Sequence, residues 1–252
     1  GQTGPRAKDP SFGMIGEALG GIRYLTGYPP EITDLPPVRT GVSIGDTVAG
    51  LYGAIGILAA LQEQRGQTPP EGTPARIVDV ALTESVMSLL EGILPEYGHL
   101  GKIREPAGAR LPAAAPSSAY PCKDGNFILI GGNSDPLFVK LMHVLGRNDL
   151  AEDPKLQDNA GRIKHREWME AEIRDEARAW NRDDLLAKCK DAGVPAGPIH
   201  SVEQVFEDPQ TQSRGMRADL DGTASVRSPI LFSDAELALD RPSPRHGGDD
   251  PA

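Results

Sequence analysis

Gly41-Val-Ser-Ile-Gly-Asp46-Thr-Val-Ala-Gly50-Leu-Tyr-Gly-Ala-Ile-Gly-Ile-Leu-Ala-Ala-Leu61 runs from a glycine-flanked turn into a stretch of small and apolar residues. Val48, Leu51, Tyr52, Ile55, Leu58 and Gln62 follow three- and four-residue steps, so a helix from about Thr47 to Gln64 is predicted. Asp46 stands where an N-cap belongs. Its carboxylate can accept from the unpaired amides of the first turn, and the helix dipole favours a negative charge there. Gly50, Gly53 and Gly56 each cost a helix roughly 1 kcal/mol relative to alanine, so a helix carrying all three is expected to pack closely against another backbone. The uncharged run Thr47–Leu61 is shorter than the roughly 18 apolar residues of a membrane span, which makes a buried core helix the expectation. Three readings of the segment stay open on these grounds. They are a helix cap, a Gly-x-Ser-x-Gly elbow at Ser43 and a nucleophilic aspartate at Asp46.

Composition narrows the classes. The 252 residues suffice for one large domain or two modest ones. A net charge of −10 argues against nucleic acid or an anionic membrane as the main partner, while leaving room for a local basic pocket. Two cysteines, Cys122 and Cys189, provide neither a disulfide framework nor a zinc site. His99, His143, His165, His200 and His246 lack metal-ligand spacing, so no metal site is expected. The chain opens at Gly1 and closes in the polar run Asp240–Ala252, and we read it as a piece of a longer protein.

Outward from the glycine-rich helix, Gly66–Pro74 reads as a polar loop. Ala75-Arg-Ile-Val-Asp-Val-Ala-Leu82 alternates and is β-branched, which predicts a strand, with Thr83 capping a helix to about Leu94. A short helix is predicted near Phe12–Leu19. This order suggests an α/β layer on a mainly parallel sheet. Ala107–Ser118, rich in Ala, Pro and Ser, reads as a linker. A strand at Asn126–Ile130 follows, then the loop Gly131-Gly-Asn-Ser-Asp135 and helices near Pro136–Leu145, Arg166–Trp180 and Asp183–Asp191. Gly193 suits a helix C-terminus, Val194–Pro198 reads as extended, and Ser201-Val-Glu-Gln204 as a capping box.

The elbow reading of Ser43 needs a strand directly before it. Leu35-Pro-Pro-Val-Arg-Thr40 is a poor one, although Asp208 and His246 follow in triad order. Gly50-x-x-Gly53-x-x-Gly56 lies within a helix and is no dinucleotide fingerprint. The loop at Gly131, Gly132 and Asn133 leaves a strand for a helix, so its amides could cradle an anion.

Several blocks in order resemble the class III CoA-transferase family, the CaiB/BaiF group that includes formyl-CoA transferase-like enzymes. They are Gly1-Gln-Thr-Gly-Pro5, Gly41–Gly50 with its helix, Val78–Ser85, Tyr120–Gly125 with Gly131–Asn133, Asp153-Pro154 with Asp158–Arg162, Gly193–Ile199 and Asp208-Pro209. The resemblance implies that Asp46 is the nucleophile, forming a mixed anhydride and then an aspartyl-CoA thioester. It implies that Gly131 and Gly132 belong to a mobile glycine loop that shields the intermediates from water, and that Gly131, Gly132 and Asn133 contact CoA. It further implies acyl-CoA and a small carboxylic acid as substrates, nearest to succinyl-type esters, with no permanently bound cofactor, a cytoplasmic setting and an interlocked homodimer. The fold it implies is a Rossmann-like large α/β domain with a parallel sheet, incomplete at its N-terminus, plus a smaller α+β domain. The expected division is 1–111 in the large domain, 115–200 in the small one and 201–252 returning to the large one.

The α-methylacyl-CoA racemases of the same superfamily carry a histidine where this chain has Phe12. They also place an acid near Asp135, and so remain an alternative. A reading of another class is a non-catalytic piece that serves dimer or partner contact. Glu96 and Tyr97 read as a surface helix end, His200 as structural, and Cys122 and Cys189 as ordinary buried or half-buried thiols.

Overall fold

The computed structural model of the chain describes residues 1–66, 72–239 and 242. Helices come first: α1 Gly13–Leu19, α2 Ile22–Leu25, α3 Ile44–Gln64, α4 Leu82–Ser88 and α5 Ile93–Leu100. A mixed region follows with β1 Ser117–Pro121, β2 Phe127–Gly131, α6 Asp135–Leu145, α7 Asn148–Ala151, a 3-10 turn at Pro154–Leu156, α8 Asn159–Lys164, α9 Arg166–Ala177, α10 Arg182–Asp191 and β3 Ala196–Pro198. The last elements are α11 Val202–Glu207, α12 Pro209–Ser213 and the hairpin of β4 Arg217–Leu220 with β5 Thr223–Val226.

The main core lies between residues 115 and 194. Phe138, Leu141 and Met142 of α6, Met169 and Ile173 of α9 and Leu185 of α10 close over Ile128 and Ile130 of β2. Alternation along β2 turns those two residues inward and leaves Phe127 and Leu129 outward. The sheet is antiparallel in the order β1-β2-β3, with Ser117 opposite Gly131 and Ile130 opposite Ala196. The capping box at Ser201 and Gln204 forms as its spacing requires. Gly193, at φ +69, follows the end of α10 in the left-handed region that glycine enters freely.

Three expectations are corrected. The parallel sheet is absent among the described residues, and the strands that form are antiparallel. Ala75–Ala81 is no strand, because a strand needs a neighbouring ladder and none of the described residues supplies one; Leu82 already opens α4. The helix expected from Thr83 to Leu94 is likewise split, into α4 and α5.

Helix α3 also departs from its prediction. It begins at Ile44, so Ser43 is the N-cap and Asp46 sits inside the first turn. In this chain it is no buried core helix, since Gly45 is its one buried residue. Leu51, Ile55 and Leu58 are 60%, 61% and 66% exposed, because α1, α4 and the run through Val78 cover one side only. By length and composition it is long enough to cross a membrane, contrary to the expectation from the run Thr47–Leu61. Its packing glycines differ as well. A Cβ on Gly50 or Gly53 would meet nothing, whereas one on Gly56 would come within 2.7 Å of Val78 Cγ1.

Candidate active site

The close backbone contacts around Asp46 belong mainly to α1. Gly13, Gly16 and Gly20 recur at helical spacing along one face. A Cβ on Gly16 would press on Leu82 at 3.2 Å, and one on Gly20 would meet Val86 at 2.7 Å. A Cβ on Gly13 would overlap Asp46 Oδ2. The carboxylate of Asp46 therefore lies directly against the backbone of α1, in a space that only a residue without a side chain leaves open. Asp46 is exposed, and its carboxylate makes no hydrogen bond or ion pair with the described residues. The expected N-cap bond is accordingly not made. Such an oxygen is available to a substrate.

Blocks far apart in sequence converge here. Gln2 N donates to Asp79 Oδ2 at 2.9 Å, which joins the first residues to the extended run ahead of α4. Tyr52 Oη and Ser88 Oγ lie 2.8 Å apart and link α3 to α4. Gly45 is buried against Val86. Glu17, on the same face of α1 as Gly13, is fully buried, with Arg39 Nε 3.7 Å from its Oε1. The sequence drew attention to none of Gly13, Glu17 and Arg39. The small-residue stripe Gly13, Gly16, Gly20 was the signal available for the first of them.

The glycine loop is built differently. Gly131 ends β2, and its amide donates to Pro195 O at 2.9 Å. Gly132 is buried, and a Cβ on it would come within 2.9 Å of Leu141 Cδ2. The carbonyl of Asn133 accepts from Arg162 Nη2 at 2.9 Å. Arg162 is a fully buried hub that also donates to Ala115 O, Leu156 O and Asp135 Oδ1 and lies over the Phe138 ring at 5.0 Å. An open groove of about 540 Å³ runs past Gly131, with Arg110, Ser117, Ser118 and Gly197 on its walls. No hydrogen bond or ion pair joins Asp46 to this loop within the described residues.

Other candidates find plain positions. Ser43 Oγ accepts from Arg39 Nη2 at 3.4 Å, with no strand ahead of it, and Asp208 caps α12. The elbow thus lacks the strand it needs, and His246 lies outside the described residues. Phe12 is 81% exposed at the N-cap of α1, and Asp135 is engaged by Arg162 at 2.6 Å. Glu96 pairs with Arg104 at 2.5 Å, and that hydrogen bond holds its carboxyl below the usual range. His200 Nε2 stands 4.0 Å from Asp208 Oδ2. Burial pushes the Cys189 thiol up to about 11, and also raises the thiol of Cys122. Neither is a ready thiolate at neutral pH. Among the described residues no group of three or more His, Cys, Asp or Glu side chains is placed to hold a metal ion.

The sequence is similar to enzymes that move CoA between acids. It is 40% identical over 218 residues to the succinyl-CoA–D-citramalate CoA-transferase of Chloroflexus aurantiacus, covering 85% of this chain and 51% of that protein. It is 36% identical over 252 residues to the succinate–glutarate CoA-transferase of Agrobacterium fabrum, covering 98% and 60%. The chain thus spans about half to three-fifths of the length of these relatives. The crystal structure of a CaiB/BaiF family protein from Brucella suis superposes with a TM-score of 0.84 at 35% identity, over 98% of this chain and 63% of that one. Rv3272 of Mycobacterium tuberculosis, at 21% identity and a TM-score of 0.80, shares the fold. The profile of CoA-transferase family III matches residues 1–250, and the chain belongs to that family.

Proposed function

We propose that the protein transfers CoA from an acyl-CoA thioester to a free carboxylic acid, with Asp46 as the nucleophile. The observation that supports this best is the exposed, unbonded carboxylate of Asp46 set against Gly13 in a chain of this family. A carboxylate oxygen of Asp46 attacks the thioester carbonyl, the C–S bond breaks, and CoA leaves as the thiolate. The thiolate attacks the aspartyl carbonyl of the anhydride and releases the donor acid, leaving an aspartyl-CoA thioester. The acceptor carboxylate then displaces the thiolate to give a second anhydride. Attack by the thiolate on its acceptor-derived carbonyl completes the product and restores Asp46. Covalent catalysis here splits one difficult exchange into easier steps.

Gly131, Gly132 and Asn133 belong to the proposal as contacts for CoA, supported by the groove that passes Gly131. So do a small dicarboxylic acid of the succinyl type, a cytoplasmic setting, a Rossmann-like large domain and the division at about 111, 115 and 200. An interlocked homodimer belongs to it too, and the open apolar side of α3 is the kind of surface such an assembly covers. The racemase reading is weaker, because Phe12 offers no proton and Asp135 is tied to Arg162.

Peptide mass mapping after incubation with succinyl-CoA, with and without hydroxylamine, tests the proposal. CoA or hydroxamate on the peptide containing Asp46, lost in Asp46→Ala, is the expected result. An unmodified peptide across a panel of acyl-CoAs would sink it. If the isolated 252-residue chain also failed to bind CoA, the contact-piece reading would be favoured.

A further inference from the structure

Glu17 is an expensive residue in this fold. Its carboxylate is fully buried, and neither oxygen has a hydrogen-bond donor within the described residues. Its one ion-pair partner is Arg39, with Nε 3.7 Å from Oε1. A buried carboxylate so poorly compensated is costly to fold and is weak support for stability. Arg39, half exposed, reaches onward with Nη2 to Ser43 Oγ at 3.4 Å. Ser43 is the N-cap of α3, and its carbonyl accepts the Thr47 amide at 3.1 Å, so its placement sets where the first turn begins. Asp46 lies in that turn.

We propose that Glu17 is a positioning residue for Asp46, acting through Arg39 on the start of α3. The guanidinium is a rigid planar fork, so holding Nε directs Nη2. Helix α1 thereby grips the first turn of α3 at two places. Gly13 receives the Asp46 carboxylate directly, and Glu17, one turn further on the same face, holds Ser43 through Arg39. The buried charge fixes an angle of attack; it does not touch substrate.

The inference rests on Asp46 being the nucleophile, and the test separates the two. In the protein at its natural length, the rate at which succinyl-CoA labels Asp46 is followed by mass spectrometry beside kcat, KM and thermal unfolding. Glu17→Gln keeps shape and removes charge. The expected result is labelling and kcat slowed roughly ten- to a hundredfold, the scale of a small misplacement of a reacting group. KM should stay within about twofold and the unfolding temperature should be unchanged or raised, since a buried charge has gone. Arg39→Gln should reproduce the loss, and the double variant should be no slower than the slower single, since the two act as one chain. Wild-type labelling with an unchanged rate in Glu17→Gln overturns the inference alone, as does a double variant whose losses multiply. Should Glu17→Gln fail to fold, Arg39→Gln carries the same decision from a half-exposed position. A wild-type protein never labelled at Asp46 overturns both readings.

Discussion

Gly13 contributes a missing side chain, and Asp46 occupies the space. Gly13→Ala puts a methyl group where Asp46 Oδ2 stands, and the mobile carboxylate is the group that must move. No left-handed backbone angle opposes the change, and alanine is the better helix former by about 1 kcal/mol. We expect a stable protein with at least about tenfold lower kcat, from misplacement of the oxygen proposed to react. Paired activity and unfolding measurements check this; unchanged kcat would show the carboxylate has another productive position. At this scale an aspartate between a glycine turn and a small-residue helix drew attention to Asp46 as a candidate, and only the family resemblance gave it the nucleophile's role. Its neighbours were not. Glu17 looks like any helical glutamate in the sequence, and only burial without donors marks it. The cap expected of Asp46 failed because α3 takes one more turn than the apolar periodicity shows.

At the scale of elements, two helix junctions carry measurable consequences. Gly20 faces Val86, which is fully buried and stiff at χ1, with the would-be Cβ 2.7 Å from both Cβ and Cγ1. Gly20→Ala should cost about 1–3 kcal/mol by overpacking, read from denaturant midpoints. Arg162 gathers Ala115 O, Leu156 O, Asn133 O and Asp135 onto one guanidinium. Arg162→Met strands buried carbonyl acceptors, at roughly 1–3 kcal/mol for each one left unsatisfied, with hydrogen exchange rising first at 131–135. Most helices were legible here. Helices α6, α9 and α10 end close to prediction because their apolar faces meet a core within the same chain, while the short α7 and α8 were not foreseen. The strand expected at Ala75–Leu82 was not legible as irregular, since alternation records burial on one side and not the presence of a ladder partner.

At the scale of the molecule, the stretch expected as a linker, Ala107–Ser118, instead runs into the main core, with Ala115 buried in it and Ser117 opening β1, and Arg110 fastens it by charge. Arg110 meets Glu167 at 2.5 Å and Glu170 at 2.7 Å. Burial nevertheless raises the Glu170 carboxyl above its ordinary 4.5, outweighing the nearby arginines. An acid raised in this way stabilises fully below its ordinary value and loses that contribution as pH rises through the raised one. Glu167 and Asp149, lowered by hydrogen bonds from Arg110 and Arg147, run the other way and lose theirs in acid. The unfolding temperature of the native protein minus that of Glu170→Gln should therefore grow as pH falls from neutral towards 4.5. A difference that shrinks would mean the arginines win. The strand run at Asn126–Ile130 and the extended Val194–Pro198 were legible, whereas their antiparallel pairing with β1 was not, and the parallel sheet was inferred from element order, which does not say which strands meet. The open side of α3 also bears on how the protein is made. Helix α3 leaves the ribosome before residues 115–194 can close, so the segment bearing Asp46 emerges oily and uncovered. Chaperones that bind nascent apolar segments should be retained there longest, and translation halted after α4 should leave an insoluble product.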